Sequence, residues 1–232
     1  MTYLIIILGL LPGFTWLLFY LQEEVHPEPK KMIAKVFFAG ALSAIVALAI
    51  ELMINCASVS GITNCSKALG ENIPITPFMI LAYAAVEEIV KFAAAYFVIA
   101  KSKYFDEPVD AMIYMAIAAL GFATVENLGA LYNMGRPVLL DGLFEIAIFR
   151  FVGTTLLHTL TSSIAGYFLA LCIRNFKSKK FIVYGLILAT ILHTAFNYLI
   201  LTTVNLLYPI AFVAIVGFFT LGDFDKLKKE QI

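Results

Sequence analysis

Charged residues are scarce in this sequence of 232 residues, where aspartate, glutamate, lysine and arginine make up 14%. Soluble domains carry about 25%. Hydrophobic residues make up 62% of the sequence, and its mean hydropathy is +0.92. Because a soluble fold would have too little polar surface to cover itself, the composition excludes one and predicts an integral membrane protein. The net charge is zero and no long basic cluster occurs, so we expect no nucleic-acid partner.

Other absences narrow the possible functions further. The sequence has no glycine-rich phosphate loop, no dinucleotide-binding fingerprint and no internal repeat. It has only three cysteines. Cys56 and Cys65 share one predicted outer loop, where they could form a disulfide or stay free thiols, and no histidine accompanies them to suggest zinc. Cys172 is expected to be a small buried side chain.

Long apolar runs, by contrast, are abundant. They predict seven transmembrane helices, over residues 2–21, 33–55, 76–100, 109–132, 143–173, 181–202 and 205–221. The first run has neither the basic segment nor the cleavage site of a signal peptide, so we expect it to be retained. The fifth is too long for one straight crossing and should be tilted or project beyond the bilayer. The expected fold is all-α: one membrane domain over residues 1–232, built as a bundle of about seven helices around a polar cavity.

The distribution of lysine and arginine predicts how this bundle sits in a cell membrane. These residues cluster in the loops after the first, third and fifth runs and in the C-terminal tail. The intervening loops contain only Lys67 and Arg136. Since basic loops remain in the cytoplasm, the N-terminus is expected outside and the C-terminus inside.

Ionisable residues within the apolar runs are the main anomaly. The third run reads "AYAAVEEIVKFAAAYF" and contains Glu87, Glu88 and Lys91. A charge at mid-membrane costs about 2.5–3.5 kcal/mol on insertion scales, so these side chains should face the protein interior. Lys91 follows the two glutamates by four and three residues, a spacing at which it can pair with one carboxylate while the other stays free.

Three further runs carry polar residues at a similar depth. In chain order, the polar residues of these runs are Glu126 with Asn127, His158 with Ser162, and His193 with Asn197. Counted at about 1.5 Å per residue from the ends of each run, the ionisable groups bracket the middle of the bilayer. We therefore predict that four helices line one polar cavity. The third histidine, His26, lies in the first cytoplasmic loop and is expected to be solvated.

Such a cavity is compatible with three kinds of function. A glutamate could take a proton from the water that hydrolyses a peptide bond, while His193 and Asn197 could donate hydrogen bonds to the developing oxyanion. The same residue types can form a proton relay in a transporter. They can also form a buried polar network that only holds helices together.

Four segments resemble the motifs of the PrsW family of intramembrane proteases: "EEIVK", "FDEPVDAMIYMAIAALGFATVEN", "HTLTSS" and "HTAFN". That family belongs to a larger group that includes the CAAX prenyl endopeptidases. Those relatives usually have an arginine four positions after the second glutamate. Here that position is Phe92 and the basic residue is Lys91, as PrsW proteins have it, so a CAAX-type endopeptidase is the less favoured alternative.

The resemblance implies a peptide hydrolase that cleaves a single-span membrane protein, typically an anti-sigma factor, in bacterial stress signalling. The residues that match its catalytic positions are Glu87, Glu88, Glu126, His158, His193 and Asn197. Lys91, Asn127 and Ser162 are expected to support them. Zinc is possible, but histidines on separate helices are not the H-E-x-x-H arrangement. We therefore favour glutamate-activated water and expect no particular cofactor.

Overall fold

The computed structural model of the chain describes residues 2–22, 27–60, 75–133, 140–174 and 178–229. Within these ranges the regular secondary structure is helical. The helices are α1 (Thr2–Gln22), α2 (Lys30–Ser60), α3 (Pro77–Ile99), α4 (Pro108–Asn133), α5 (Leu140–Phe149), α6 (Thr155–Arg174), α7 (Lys180–Thr202) and α8 (Leu207–Lys229). A π-helix of five residues, Arg150–Thr154, joins α5 to α6 without a break. The predicted all-α bundle is confirmed.

Each predicted span overlaps a helix, with differences at the ends. The long fifth run is α5, the π-helix and α6 in succession. Helix α8 continues to Lys229, eight residues beyond the predicted end, because its polar last turns remain helical. In the part of the chain that the structure describes, six helical segments are long and apolar enough to cross a membrane. Helix α3 is long enough too, but its three central charged residues set it apart in composition.

Two predictions fall on residues that the structure does not describe. Cys65 and His26 both lie outside the described ranges, so the disulfide with Cys56 and the solvated histidine stay predictions. Cys172 is buried and has a free thiol, as expected.

Local sequence explains where the helices that carry the candidate site begin. Thr76 caps α3, since its hydroxyl accepts a hydrogen bond from the Met79 backbone N–H at 3.3 Å, and Pro77 occupies the first turn. At the start of α4, the Asp110 carboxylate accepts hydrogen bonds from the backbone N–H groups of Asp106 and Glu107, at 3.1 and 2.8 Å. Both helices therefore start at defined residues, which sets the depth of the side chains they carry.

Helix α4 forms the centre of the bundle. Nearly every side chain from Val109 to Ala123 is buried, and the helix packs mainly against α6, α2 and α1, with α3 beside it. A helix that is apolar on all sides is stable only when it is surrounded. The outer helices instead expose large apolar side chains, such as Phe38, Phe97 and Phe218. In water these would form a large hydrophobic patch, whereas lipid solvates them.

Glycines let α2 and α4 approach each other closely. A Cβ atom on Gly40 of α2 would lie 1.9 Å from the carbonyl oxygen of Ala118, and one on Gly121 of α4 would lie 1.9 Å from that of Phe37. No side chain fits at such distances. Small residues at helix contacts are the usual device for close packing in membranes, where van der Waals contact drives helix association.

This packing predicts opposite effects for two glycines of α4. Gly121→Ala should lower the free energy of unfolding by about 1–3 kcal/mol, because backbone atoms of α2 must move away. Gly129→Ala is the matched control, since a Cβ there meets no atom within 4 Å. It should be neutral or raise stability by up to about 1 kcal/mol through helix propensity. Thermal unfolding of both variants in detergent measures the difference, and equal stabilities would contradict the packing described here.

Candidate active site

Four helices bring ionisable side chains to one point in the interior. Helix α3 supplies Glu87, Glu88 and Lys91, all buried. Helix α4 supplies Glu126, and α6 and α7 supply one buried histidine each, His158 and His193. The two imidazole rings lie edge to face, with their centroids 4.8 Å apart. The structure thus brings together the groups that the sequence placed at a common depth.

Both nitrogens of His158 have a charged partner. Its Nε2 lies 2.7 Å from Glu126 Oε2, and its Nδ1 lies 3.0 Å from Lys91 Nζ. An ionised carboxylate only accepts hydrogen bonds and an ammonium only donates them, so these partners assign the proton of a neutral His158 to Nε2. The Nδ1 lone pair then accepts from Lys91.

His193 has the opposite arrangement. Its Nδ1 lies 2.8 Å from Glu88 Oε1, which assigns the proton of a neutral ring to Nδ1. Its Nε2 then carries a lone pair and lies 3.8 Å from Glu87 Oε2. Each histidine is therefore held by a carboxylate through one nitrogen, and its other nitrogen is an acceptor on the side of Glu87.

The two adjacent glutamates have different surroundings. Glu88 pairs with Lys91 at 2.7 Å and also accepts hydrogen bonds from the hydroxyls of Thr161 at 3.0 Å and Ser162 at 3.4 Å. With His193 as well, both of its oxygens are occupied. Such charge-assisted bonds make a buried carboxylate tolerable. Glu88 is thus the glutamate that pairs with the lysine, and it orients His193.

Among the described residues, Glu87 is the glutamate that does not pair with Lys91. Its buried Oε2 has no hydrogen-bond partner among the residues that the structure describes. It lies 3.8 Å from both His158 Nδ1 and His193 Nε2. Buried carboxylate oxygens in proteins normally have a partner, so this atom marks a place where a polar group can bind.

The donor atoms around Glu87 resemble a metal site by type. Glu87, His158 and His193 each offer one ligand atom, all within 4.8 Å of one another. The carboxylates on the far nitrogens of both histidines match the usual outer shell of such sites. Lys91, however, already donates to His158 Nδ1, the nitrogen that faces Glu87, and a divalent cation there would lie beside a buried ammonium. In this arrangement Lys91 lies at the His158 nitrogen that a metal bound by these three residues would need.

Three of the predicted site residues lie at the edge of this cluster. Asn127 is buried and holds Thr155 and Arg150 by hydrogen bonds of 2.9 and 2.5 Å. Ser162 reaches Glu88 only at 3.4 Å. Asn197 is half-buried, one turn beyond His193, and lines a cavity of about 210 Å³ together with Ile75, Ile80, Tyr83, Ile200 and Leu201.

Sequence reasoning missed two residues of the site, Arg150 and Thr161. Arg150 lies 3.6 Å from Glu126, and Thr161 donates to Glu88. The signal for Arg150 was present, since it is an arginine inside an apolar run and eight residues before His158. Thr161 had none, because threonines in membrane helices commonly bond their own backbone, as this one also does to Leu157.

Comparisons with known proteins agree on one family. The model of a family described as PrsW family intramembrane metalloprotease matches residues 28–221. The protein named Protease PrsW from Geobacillus kaustophilus (strain HTA426) is 29% identical over 195 residues, which are 83% of this chain and 78% of the relative. Protease PrsW from Bacillus subtilis (strain 168) is 26% identical, over 88% of this chain and 86% of its own. Protease PrsW from Clostridioides difficile (strain 630) is 24% identical, over 98% and 90%. No solved structure matches.

Proposed function

The chain belongs to the PrsW family and is an intramembrane protease, and we propose that it cleaves a single-span membrane protein of the anti-sigma factor kind with glutamate-activated water. The observation that carries the proposal is the buried Glu87 oxygen, unpartnered among the described residues and 3.8 Å from two imidazole nitrogens. Family membership favours hydrolysis over the proton relay that the residue types alone would also allow.

In the proposed reaction, Glu87 acts as general base and then as general acid. A water bound between Glu87 Oε2 and His193 Nε2 donates hydrogen bonds to both acceptors, which turns its lone pairs towards the substrate. Glu87 takes one proton as the water oxygen attacks the peptide carbonyl, and it gives that proton to the departing amine. Glu88 does not compete for the proton, since its Oε1 accepts hydrogen bonds from Lys91, Thr161 and His193. Its Oε2 accepts one from Ser162.

The oxyanion of the tetrahedral intermediate requires hydrogen-bond donors. We assign this role to the amide of Asn197, which lies one turn from His193 on α7 and lines the cavity of about 210 Å³. His193 was expected to share the role, but in its neutral form with the proton on Nδ1 it accepts at Nε2. It can donate there only after it takes a proton during the reaction.

The proposed setting is a multi-pass protein of the cell membrane, with one membrane protease domain over residues 1–232. The distribution of basic residues supports an N-terminus outside and a C-terminus in the cytoplasm. In that orientation, a substrate that crosses the membrane once can approach through the bilayer. No feature of the chain suggests recognition of a prenyl group, so a CAAX-type specificity is not proposed.

Loss of the unpartnered carboxylate should abolish cleavage. We expect Glu87→Gln, co-expressed with candidate single-span proteins tagged at both ends, to leave the substrate intact, because removing general base catalysis costs about 10²–10⁴-fold in rate. Glu145→Gln is the matched control, since this glutamate lies on the exposed face of α5, and it should cleave like the wild type. Immunoblots of both tags report the fragments. Equal cleavage by the wild type and Glu87→Gln would refute the proposal.

A second prediction separates glutamate-activated water from metal catalysis. We expect the purified protein to contain much less than one zinc per chain and to cleave its substrate in 1,10-phenanthroline, because Lys91 takes the His158 nitrogen. The variant Lys91→Met with Glu88→Gln keeps an acceptor for His193 and should gain zinc binding. Adding His193→Ala to that variant should abolish the gain.

Zinc titration with a competing chromophoric chelator measures these differences independently of activity. One tightly bound zinc per wild-type chain, whose removal reversibly stops cleavage, would show that the metal mechanism holds and that the lysine does not exclude it.

A further inference from the structure

Arg150 contacts the catalytic cluster from a position that its local helix geometry makes possible. It is the first residue of the π-helix Arg150–Thr154, in which the backbone N–H of Thr155 donates to the Arg150 carbonyl, five residues back. Such widened turns are rare and occur often at functional sites. The π-helix begins about two turns before His158 and ends about one turn before it, on the same continuous helical element.

The π-helix changes which way Arg150 faces. On a regular α-helix, eight residues at about 100° each would leave Arg150 and His158 about 80° apart around the axis. A wider turn rotates less per residue, so it reduces that offset and brings both side chains towards α4. The two residues then meet the adjacent pair Glu126 and Asn127 from the same side.

A tryptophan on α1 satisfies one carbonyl of the widened turn. Trp16 Nε1 donates a hydrogen bond to the Phe151 carbonyl oxygen at 2.9 Å. The centroids of the Trp16 and Phe151 rings lie 5.7 Å apart. Because a widened turn disturbs the regular hydrogen-bond ladder, this contact from another helix stabilises the π-helix.

The Arg150 side chain connects the π-helix to His158 through α4. Its Nε donates to Asn127 Oδ1 at 2.5 Å, and its guanidinium lies 3.6 Å from Glu126 Oε2. The same Glu126 oxygen lies 2.7 Å from His158 Nε2. Glu126 is 31% exposed and less enclosed than the other members of the cluster, so packing alone does not fix its rotamer.

We propose that Arg150 is a positioning residue. The π-helix turns its side chain inward, where the guanidinium holds the Glu126 carboxylate at His158 Nε2. This contact keeps the proton of His158 on Nε2 and its lone pair on Nδ1, which lies on the side of Glu87. The role rests on the proposed function, but its structural part is independent of activity. Without Arg150, Glu126 can turn away to water. His158 is then free to change tautomer, and the acceptor that receives Lys91 is lost.

The chain has only three histidines, which makes the tautomer directly measurable. Nitrogen-15 NMR of histidine-labelled protein in liposomes, in a background with His26→Ala, should show His158 protonated at Nε2 in the wild type. In Arg150→Met we expect a mixture of both tautomers. Arg150→Lys keeps a charge near Glu126 and should retain the wild-type signal in part. An unchanged His158 signal in Arg150→Met would overturn the proposal.

Kinetics provide the second readout, with the substrate identified by co-expression. We expect Arg150→Met to lower kcat about 100-fold, the usual cost of a misplaced catalytic group, with KM changed less than about 3-fold. Arg150→Lys should recover part of kcat. A loss confined to KM would overturn the positioning role. If even the wild type cleaves nothing, the proposed function fails, while the NMR result still decides the role of Arg150.

If Arg150→Met does not fold, a substitution of Trp16 tests the same series of contacts from α1. Trp16→Phe keeps the aromatic packing but removes the donor to the Phe151 carbonyl. It should weaken the π-helix and shift the His158 tautomer in the same direction, with a smaller loss of kcat, about 10-fold. A wild-type tautomer and wild-type kcat in Trp16→Phe would show that the π-helix does not position the site.

Discussion

The ion pair between Lys91 and Glu88, 2.7 Å long with both side chains 1% exposed, is the interaction on which the rest of the site depends. Neither charge could lie alone in a bilayer, where each costs several kcal/mol. Paired, they anchor the two histidines from opposite sides, His158 through the lysine and His193 through the glutamate. The pair thereby leaves Glu87 outside the Lys91 ion pair, and this is the residue that we propose as the general base.

Close packing around α4 is the second requirement. A cluster that joins four helices keeps distances near 3 Å only if those helices cannot slide. The contacts at Gly40 and Gly121 bring backbone to backbone between α2 and α4. Lipid solvates the outer apolar faces, so the hydrophobic effect contributes little to helix association in the membrane. Close van der Waals packing between the helices holds them together instead. The position of Glu126 therefore depends on residues more than one turn away from it.

Much of this architecture could be predicted from composition and spacing. The apolar runs give the helices, and the cost of a buried charge predicts that Glu87, His158 and His193 share one cavity. The spacing of Lys91 allowed either glutamate as its partner, and only the structure selects Glu88. The π-helix could not be predicted from the sequence, because nothing in "RFVGT" indicates a widened turn. The expected oxyanion role of His193 also depended on a tautomer, which is set by a partner on another helix.

We propose that a buried carboxylate between two imidazoles hydrolyses a peptide bond at the depth of the bilayer. Mass spectrometry of the fragments made by the purified protein in liposomes, from one single-span substrate, tests it most directly. We expect one cut inside the apolar segment of the substrate, made by the wild type and absent with Glu87→Gln. A cut in a water-exposed segment outside the apolar span, or the same cut by both proteins, would contradict it.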